Sequence, residues 1–333
     1  MSGPQRTDKP LAWVAGGSRG LGFALARELG RRGHRVLITA RTQSDLDRAQ
    51  SDLVADGIEV VTCVHDVRDA EGARRLVSDV EAEHGPIETV FAVAGVLKVG
   101  PLPERAEDYE ESIDIMLRGP INVVHAVLPG MRERGRGRIG IVTSIAGLFP
   151  VPHLVPYSAA KHGAVGFANG LAEELQGTPI SVSTIIPGLM RTGGHWHADY
   201  RGQPGREYIW FAGLSAAPLV SMNADRATKI IVGGVLRGRR KIIYTIPARV
   251  GDVLYRLSPV AVGAAIGWAG RLLPDPEKDT QDQDHSIDHP NQSGYREAPG
   301  YRAVRRTPKI FDRLTVLADR AVRRLNQSDA HQS

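Results

Sequence analysis

Short, almost uninterrupted apolar runs alternate with stretches of helical periodicity over most of the chain. Runs at 11–15, 35–40, 59–65, 88–94, 138–143 and 180–186 are rich in Val, Ile and Thr and too short for buried helices. Between them, 44–56, 69–84, 109–134 and 157–176 read as helices, the third as one long helix or two. A further helix at 224–236 and a final strand at 241–246 close the series. Strands apolar on both faces and separated by helices predict a parallel sheet covered on each side, an α/β doubly wound Rossmann fold.

The first apolar run leads into Gly16, Gly17, Gly20 and Gly22, and then into a helical pattern at Phe23, Leu25, Ala26 and Leu29. Such a turn from strand to helix presents backbone N–H groups and the helix dipole to a pyrophosphate. A second chemical feature begins at Ser144. Tyr157 stands one helical turn before Lys161, which places phenol and ammonium on one face. A nearby cation is expected to lower the tyrosine pKa from its ordinary value of about 10. With Ser144 holding the same oxygen, the set can pass a proton to or from a hydroxyl or carbonyl.

Together, A-G-x-x-x-G-x-G at Ala15 to Gly22, Ser144, and Tyr157 with Lys161 resemble the short-chain dehydrogenase/reductase family over about residues 11 to 245. The resemblance implies catalytic roles for Ser144, Tyr157 and Lys161. It implies cofactor contacts from Gly16, Ser18, Arg19, Gly20, Leu21 and Gly22 in the turn, and from Asp66 and Val67 near the adenine. Ala94 and Gly95 match the family's element after strand four; Pro187, Gly188 and Thr192 match the element after strand six. Tyr157 and Lys161 would also hold the nicotinamide ribose. Two departures stand out. Ala92 and Val93 replace the asparagines of N-N-A-G, and Met116 replaces an asparagine associated with a proton-relaying water. Methionine lacks that donor and acceptor set.

NADP(H) is expected over NAD(H). The second strand ends Thr39, Ala40, Arg41 with no carboxylate before Asp45, and Arg19 matches a basic position in NADP-preferring members of the family. The implied reaction interconverts a secondary alcohol and a carbonyl on a small molecule. The alternative is an NADP-binding regulatory or scaffold protein with weak or no turnover. Residues 193–223 hold Trp196, Tyr200, Tyr208, Trp210 and Phe211 in a chain only 5% aromatic, and are expected to form a substrate lid for a bulky apolar molecule. His195 and His197 lack a third ligand in the sequence, so no metal is expected.

Composition narrows this picture further. A net charge of +5 is spread along the chain, which favours a solvated surface over nucleic acid. One cysteine, Cys63, lies in a strand pattern and reads as a buried thiol compatible with a reducing cytoplasm. The first ten residues carry no apolar signal segment. The expected organisation is a tail at 1–10, the catalytic domain at 11–248, an apolar helical extension at 249–273, a polar linker at 274–308 and a basic amphipathic helix at 309–326. The extension is too short to span a bilayer, and its reading divides between docking on the domain and lying at a membrane surface. A homo-oligomer is expected from the family resemblance.

Overall fold

The computed structural model describes residues 9–102, 105–191, 197–216, 221–274 and 324–325. Its first half runs β1 (Leu11–Ala15), α1 (Gly20–Arg31), β2 (Arg35–Ala40), α2 (Gln43–Ala55), β3 (Val60–Val64), α3 (Ala70–His84) and β4 (Ile87–Ala92). A short β5 (Lys98–Val99), α4 (Ala106–Ile113), a π-helical turn (Asp114–Arg118) and α5 (Gly119–Glu133) follow. Next come β6 (Gly137–Val142), α6 (Val155–Glu174), β7 (Ile180–Ile186), and the two-residue strands β8 (Met190–Arg191) and β9 (Asp199–Tyr200). The chain continues through α7 (Pro204–Ala216), β10 (Met222–Asn223), α8 (Ala224–Leu236), β11 (Lys241–Ile243), α9 (Ile246–Leu257) and α10 (Pro259–Gly270).

Seven strands form one sheet in the order β11-β7-β6-β4-β1-β2-β3, with every neighbouring pair parallel. The alternation of side chains along each strand divides the interior into two cores. Ala12 and Val14 of β1 face one core with Phe23 and Leu25 of α1, Leu46 of α2 and Ile231 of α8. Leu11, Trp13 and Ala15 face the other with Val77 of α3, Val123 of α5 and Ala160 of α6. Both faces of β1 are therefore buried, and its continuous apolar sequence follows. The expected α/β doubly wound fold is the one observed.

Several local readings are corrected. The strand expected at 241–246 stops at Ile243, because Ile246 and Pro247 already begin α9. The boundary expected at 248 therefore falls inside a helix. Of the two readings open for 109–134, one long helix or two, the structure has two helices, the first beginning at Ala106, joined by the π-turn that carries Met116. Cys63 is half-buried, since β3 is an edge strand, and burial raises its thiol pKa. The linker and most of the basic helix lie outside the described residues. At its end, however, Leu325 is buried in the first core, and its carbonyl accepts the Gly20 N–H at 2.9 Å. Arg324 pairs with Asp225 at 2.5 Å, and its carbonyl accepts from Arg27 at 3.1 Å. The chain end thus clips α1 to α8.

Truncating a buried leucine forfeits its transfer energy and leaves a cavity, so Leu325→Ala is expected to cost about 2–4 kcal/mol. Urea unfolding should show a lower midpoint at unchanged slope, and an unchanged midpoint would contradict the clip.

Candidate active site at the carboxyl ends of the strands

The strand order reverses direction between β1 and β4, so the loops leaving these two strands separate and open a crevice. Backbone hydrogen bonds fix its floor: Gly16 and Gly17 donate to Thr39 at 2.9 and 3.1 Å, while Val93 and Ala94 donate to Ala15 at 2.9 and 3.0 Å. The turn tolerates no side chains at its tightest points. Gly16 has φ +89°, and a Cβ on Gly22 would stand 1.9 Å from the Gly16 carbonyl oxygen.

A single cavity of about 630 Å³ occupies this crevice and continues past the end of β6. Its nucleotide-facing part is lined by Gly16, Ser18, Arg19, Gly20, Leu21 and Gly22 of the turn, with Arg41 after β2 and Asp66 and Val67 after β3. Ala94, Gly95, Pro187 and Gly188 line it from the ends of β4 and β7. Every residue expected at the cofactor therefore reaches one cavity, except Thr192, which lies outside the described residues. Arg19 pairs with the buried Asp45 at 3.3 Å, and Arg48 pairs with the same carboxylate. Asp66 accepts two forked bonds from Arg68; burial pushes its carboxyl up, but Arg68, with help from Arg41, holds it below the usual range. Asn122 supports this rim by donating to the Val67 carbonyl at 2.9 Å.

Ser144, Tyr157 and Lys161 meet where the two halves of the cavity join. Ser144 leaves β6 in extended conformation, and its Oγ accepts the Ala146 N–H at 3.2 Å. Tyr157 and Lys161 lie on the first turns of α6, which starts at Val155 and Pro156. Lys161 is buried; its ammonium donates to the Val142 carbonyl at 2.9 Å and lies 5.7 Å from the Tyr157 ring centroid. Burial lowers its pKa to about 8. The expectation of a lowered tyrosine pKa is overturned: burial raises the Tyr157 phenol, and its hydrogen bond with Ser144 only offsets part of that rise.

Apart from His197, the remainder of the cavity is lined by apolar side chains, among them Val151 and Leu154 between Ser144 and α6, and Trp210, Phe211 and Leu214 of α7. Of the described aromatic residues expected on a lid, Trp210 and Phe211 face it and Tyr200 and Tyr208 do not. Tyr200 and Tyr208 are buried in a small core behind them, their rings 5.6 Å apart, and Trp196 lies outside the described residues. His195 also lies outside, whereas His197 lines the cavity. Two residues escaped the sequence reading. Glu207, fully buried, bonds His153 Nδ1 at 2.7 Å and accepts the Trp210 indole N–H at 2.6 Å, tying α7 to the loop before α6. His153 adopts φ +61°, a left-handed conformation uncommon outside glycine. His153 and Glu207 stand 54 positions apart in the chain and gave no sequence cue to this pairing, since the partners meet only in three dimensions.

The sequence profile described as short chain dehydrogenase matches residues 10–199. The chain belongs to the short-chain dehydrogenase/reductase family. It is 33% identical over 232 residues to the 3-dehydrosphinganine reductase TSC10A of Arabidopsis thaliana, covering 68% of each chain. It is 36% identical over 188 residues to a putative ketoacyl reductase of Streptomyces coelicolor, covering 56% of this chain and 72% of that one. Among solved structures, an actinorhodin polyketide ketoreductase with NADPH matches at TM-score 0.62 and 27% identity, over 73% of this chain and 98% of the other. A metagenomic short-chain oxidoreductase in complex with NADP matches at TM-score 0.57 and 25% identity, over 71% and 96%. This short-chain dehydrogenase/reductase is an NAD(P)-dependent oxidoreductase.

Because the folded-state pKa of Lys161 lies below its unfolded value near 10.4, the folded protein releases this proton first as pH rises. Below about pH 8 both states hold the proton and the burial penalty is constant; above it the penalty is progressively relieved. Between pH 8 and 10, wild type should gain roughly 2–3 kcal/mol of stability relative to Lys161→Met, measured by urea unfolding without added nucleotide. Parallel pH profiles of the two proteins would contradict the buried ammonium.

Proposed function

We propose that this enzyme uses NADPH to reduce the carbonyl of a bulky apolar substrate to a secondary alcohol. The observation that carries the proposal is the continuity of one cavity from the glycine turn, past Ser144 and Tyr157, into an apolar chamber under Trp210 and Phe211. The turn fits a dinucleotide: a Cβ on Gly16 would stand 2.7 Å from the Ala94 nitrogen, so glycine is what lets the turn close on the loop after β4 and bring the N-terminus of α1 to the cavity, where a pyrophosphate would be held. When bound, the nicotinamide supplies the hydride that reduces the carbonyl carbon.

The protein's own residues manage the oxygen. Ser144 holds it by a hydrogen bond, and the Tyr157 phenol gives it a proton as negative charge develops. A buried phenol keeps its proton at neutral pH, which suits the reductive direction. Lys161, cationic below about pH 8, stabilises the phenolate left behind. Met116, fully buried beside Gly95, supplies no donor there, so the phenol regains its proton by a path that does not use this side chain. Arg41 and Arg19 provide the cationic rim a 2′-phosphate needs, with Asp45 setting Arg19 in place.

Tyr157→Phe is expected to abolish turnover of a bulky ketone while NADPH affinity, read by fluorescence titration, stays within a fewfold. Retained turnover would remove Tyr157 from proton transfer; tight NADPH binding with no turnover by wild type on any ketone would favour a binding protein. Arg41→Ala should raise the KM for NADPH by about tenfold or more and leave that for NADH unchanged, as loss of a charge-assisted phosphate contact requires. Equal effects on both cofactors would contradict 2′-phosphate recognition.

A further inference from the structure

α9 turns the usual amphipathic arrangement around. Its buried residues are Ala248 and Asp252; Lys241 of β11 holds Asp252 against the domain at 2.7 Å, and Arg256, one turn further along α9, pairs with the same carboxylate at 2.9 Å. Its apolar side chains, Ile246, Val250, Val253, Leu254 and Leu257, point away from the domain and are exposed. A helix whose Ile, Val and Leu side chains face outward, with a carboxylate among its buried residues, leaves its main apolar side uncovered by its own protein.

α10 continues this surface. It packs on α9 after the break at Ser258, and none of its twelve residues is buried. Leu257 is 77% exposed, Val260 84%, Trp268 67% and Leu272 79%. Apart from Ser258 and the Trp268 indole, the stretch from Leu257 to Gly270 carries no side chain able to hydrogen-bond. Acyl chains need no directional contacts from the surface that covers them, and this stretch offers almost none. No described helix is long and apolar enough to cross a membrane. Charged residues frame the patch: Arg249 lies on α9 and Arg271 follows α10, both exposed, while Arg256, also exposed, is shared with Asp252. Cations at the rim of an apolar face match an anionic lipid surface.

The patch is also placed with respect to the cavity. A Cβ on Gly251 of α9 would meet the Phe149 ring at 3.0 Å, and one on Gly270 of α10 would meet Pro152 at 3.1 Å. The Tyr255 and Phe149 rings stand 6.2 Å apart. Phe149 and Pro152 belong to the same loop as Val151 and Leu154, the apolar wall of the cavity. The hairpin thus backs directly onto the substrate end.

We propose that α9 and α10 form an interfacial hairpin that seats the enzyme on an anionic bilayer, so that its apolar chamber draws a carbonyl lipid from the membrane. The docking stands on the hairpin alone; the substrate half rests on the ketone reduction proposed above.

The test uses the full chain with vesicles of phosphatidylcholine and phosphatidylglycerol in a ratio of three to one. Wild type should float with these vesicles and bind pure phosphatidylcholine more weakly. Bilayers of brominated lipid should quench Trp emission, and Trp268→Phe should remove most of that quenching. The double variant Leu257→Glu, Val260→Glu changes two exposed positions remote from Ser144, Tyr157 and Lys161. It should lose vesicle binding by about tenfold or more, as charge at an interfacial apolar face demands, while turnover of a water-soluble ketone stays within twofold. Wild type remaining in solution with anionic vesicles would overturn the docking. So would a wild-type dimer that dissociates in the double variant, because the patch would then be a subunit interface. Vesicle binding with no ketone turnover would retain the docking and defeat the reductase reading instead.

Discussion

A buried ammonium sets the terms for this site. Lys161 has lost its water and has one neutral carbonyl, that of Val142, in exchange. An arrangement of that kind persists only where a rigid frame holds it, because an isolated charge in the interior neutralises or relaxes otherwise. The frame here is the end of β6 on one side and the first turns of α6 on the other. Gly147 lets the intervening turn close onto α6, since a Cβ there would stand 2.6 Å from the Lys161 carbonyl. Ser144 and Tyr157 are positioned by the same junction.

The sheet supplies that junction with its surroundings. Parallel strands send their carboxyl ends to one edge, so residues far apart in sequence, such as Gly16, Asp66, Gly95, Ser144 and Gly188, line one crevice. The glycine turn, the cationic rim and the apolar chamber then follow one another along a continuous wall. This succession is what separates a dinucleotide-binding shell from a site able to bring a second, apolar molecule to the cofactor.

Much of this was legible in the sequence because it rests on local rules. Continuous apolar runs marked the strands buried on both faces, and the spacing of Tyr157 and Lys161 put both on one helix face. The cofactor residues were legible through the family resemblance. What stayed hidden depends on tertiary context. The direction of the Tyr157 shift follows from burial, which a one-turn spacing does not reveal. Glu207 meets His153 across two separate segments, and Tyr200 and Tyr208 prove to be packing residues because β9 and α7 turn them inward. The composition of α9 and α10 announced an apolar segment, but only the ion-paired Asp252 shows which side faces the protein. Leu325 looked like one turn of a distant basic helix until its carbonyl met the Gly20 N–H.

The most direct test of the central claim follows the hydride itself. NADPH carrying deuterium at both hydrogens of nicotinamide C4 would be incubated with the protein and a long-chain β-keto ester, and the product examined by mass spectrometry. The account predicts an alcohol with one deuterium on the former carbonyl carbon. An alcohol formed without that label, or NADPH bound tightly beside unchanged ketones across a panel of apolar carbonyls, would contradict it.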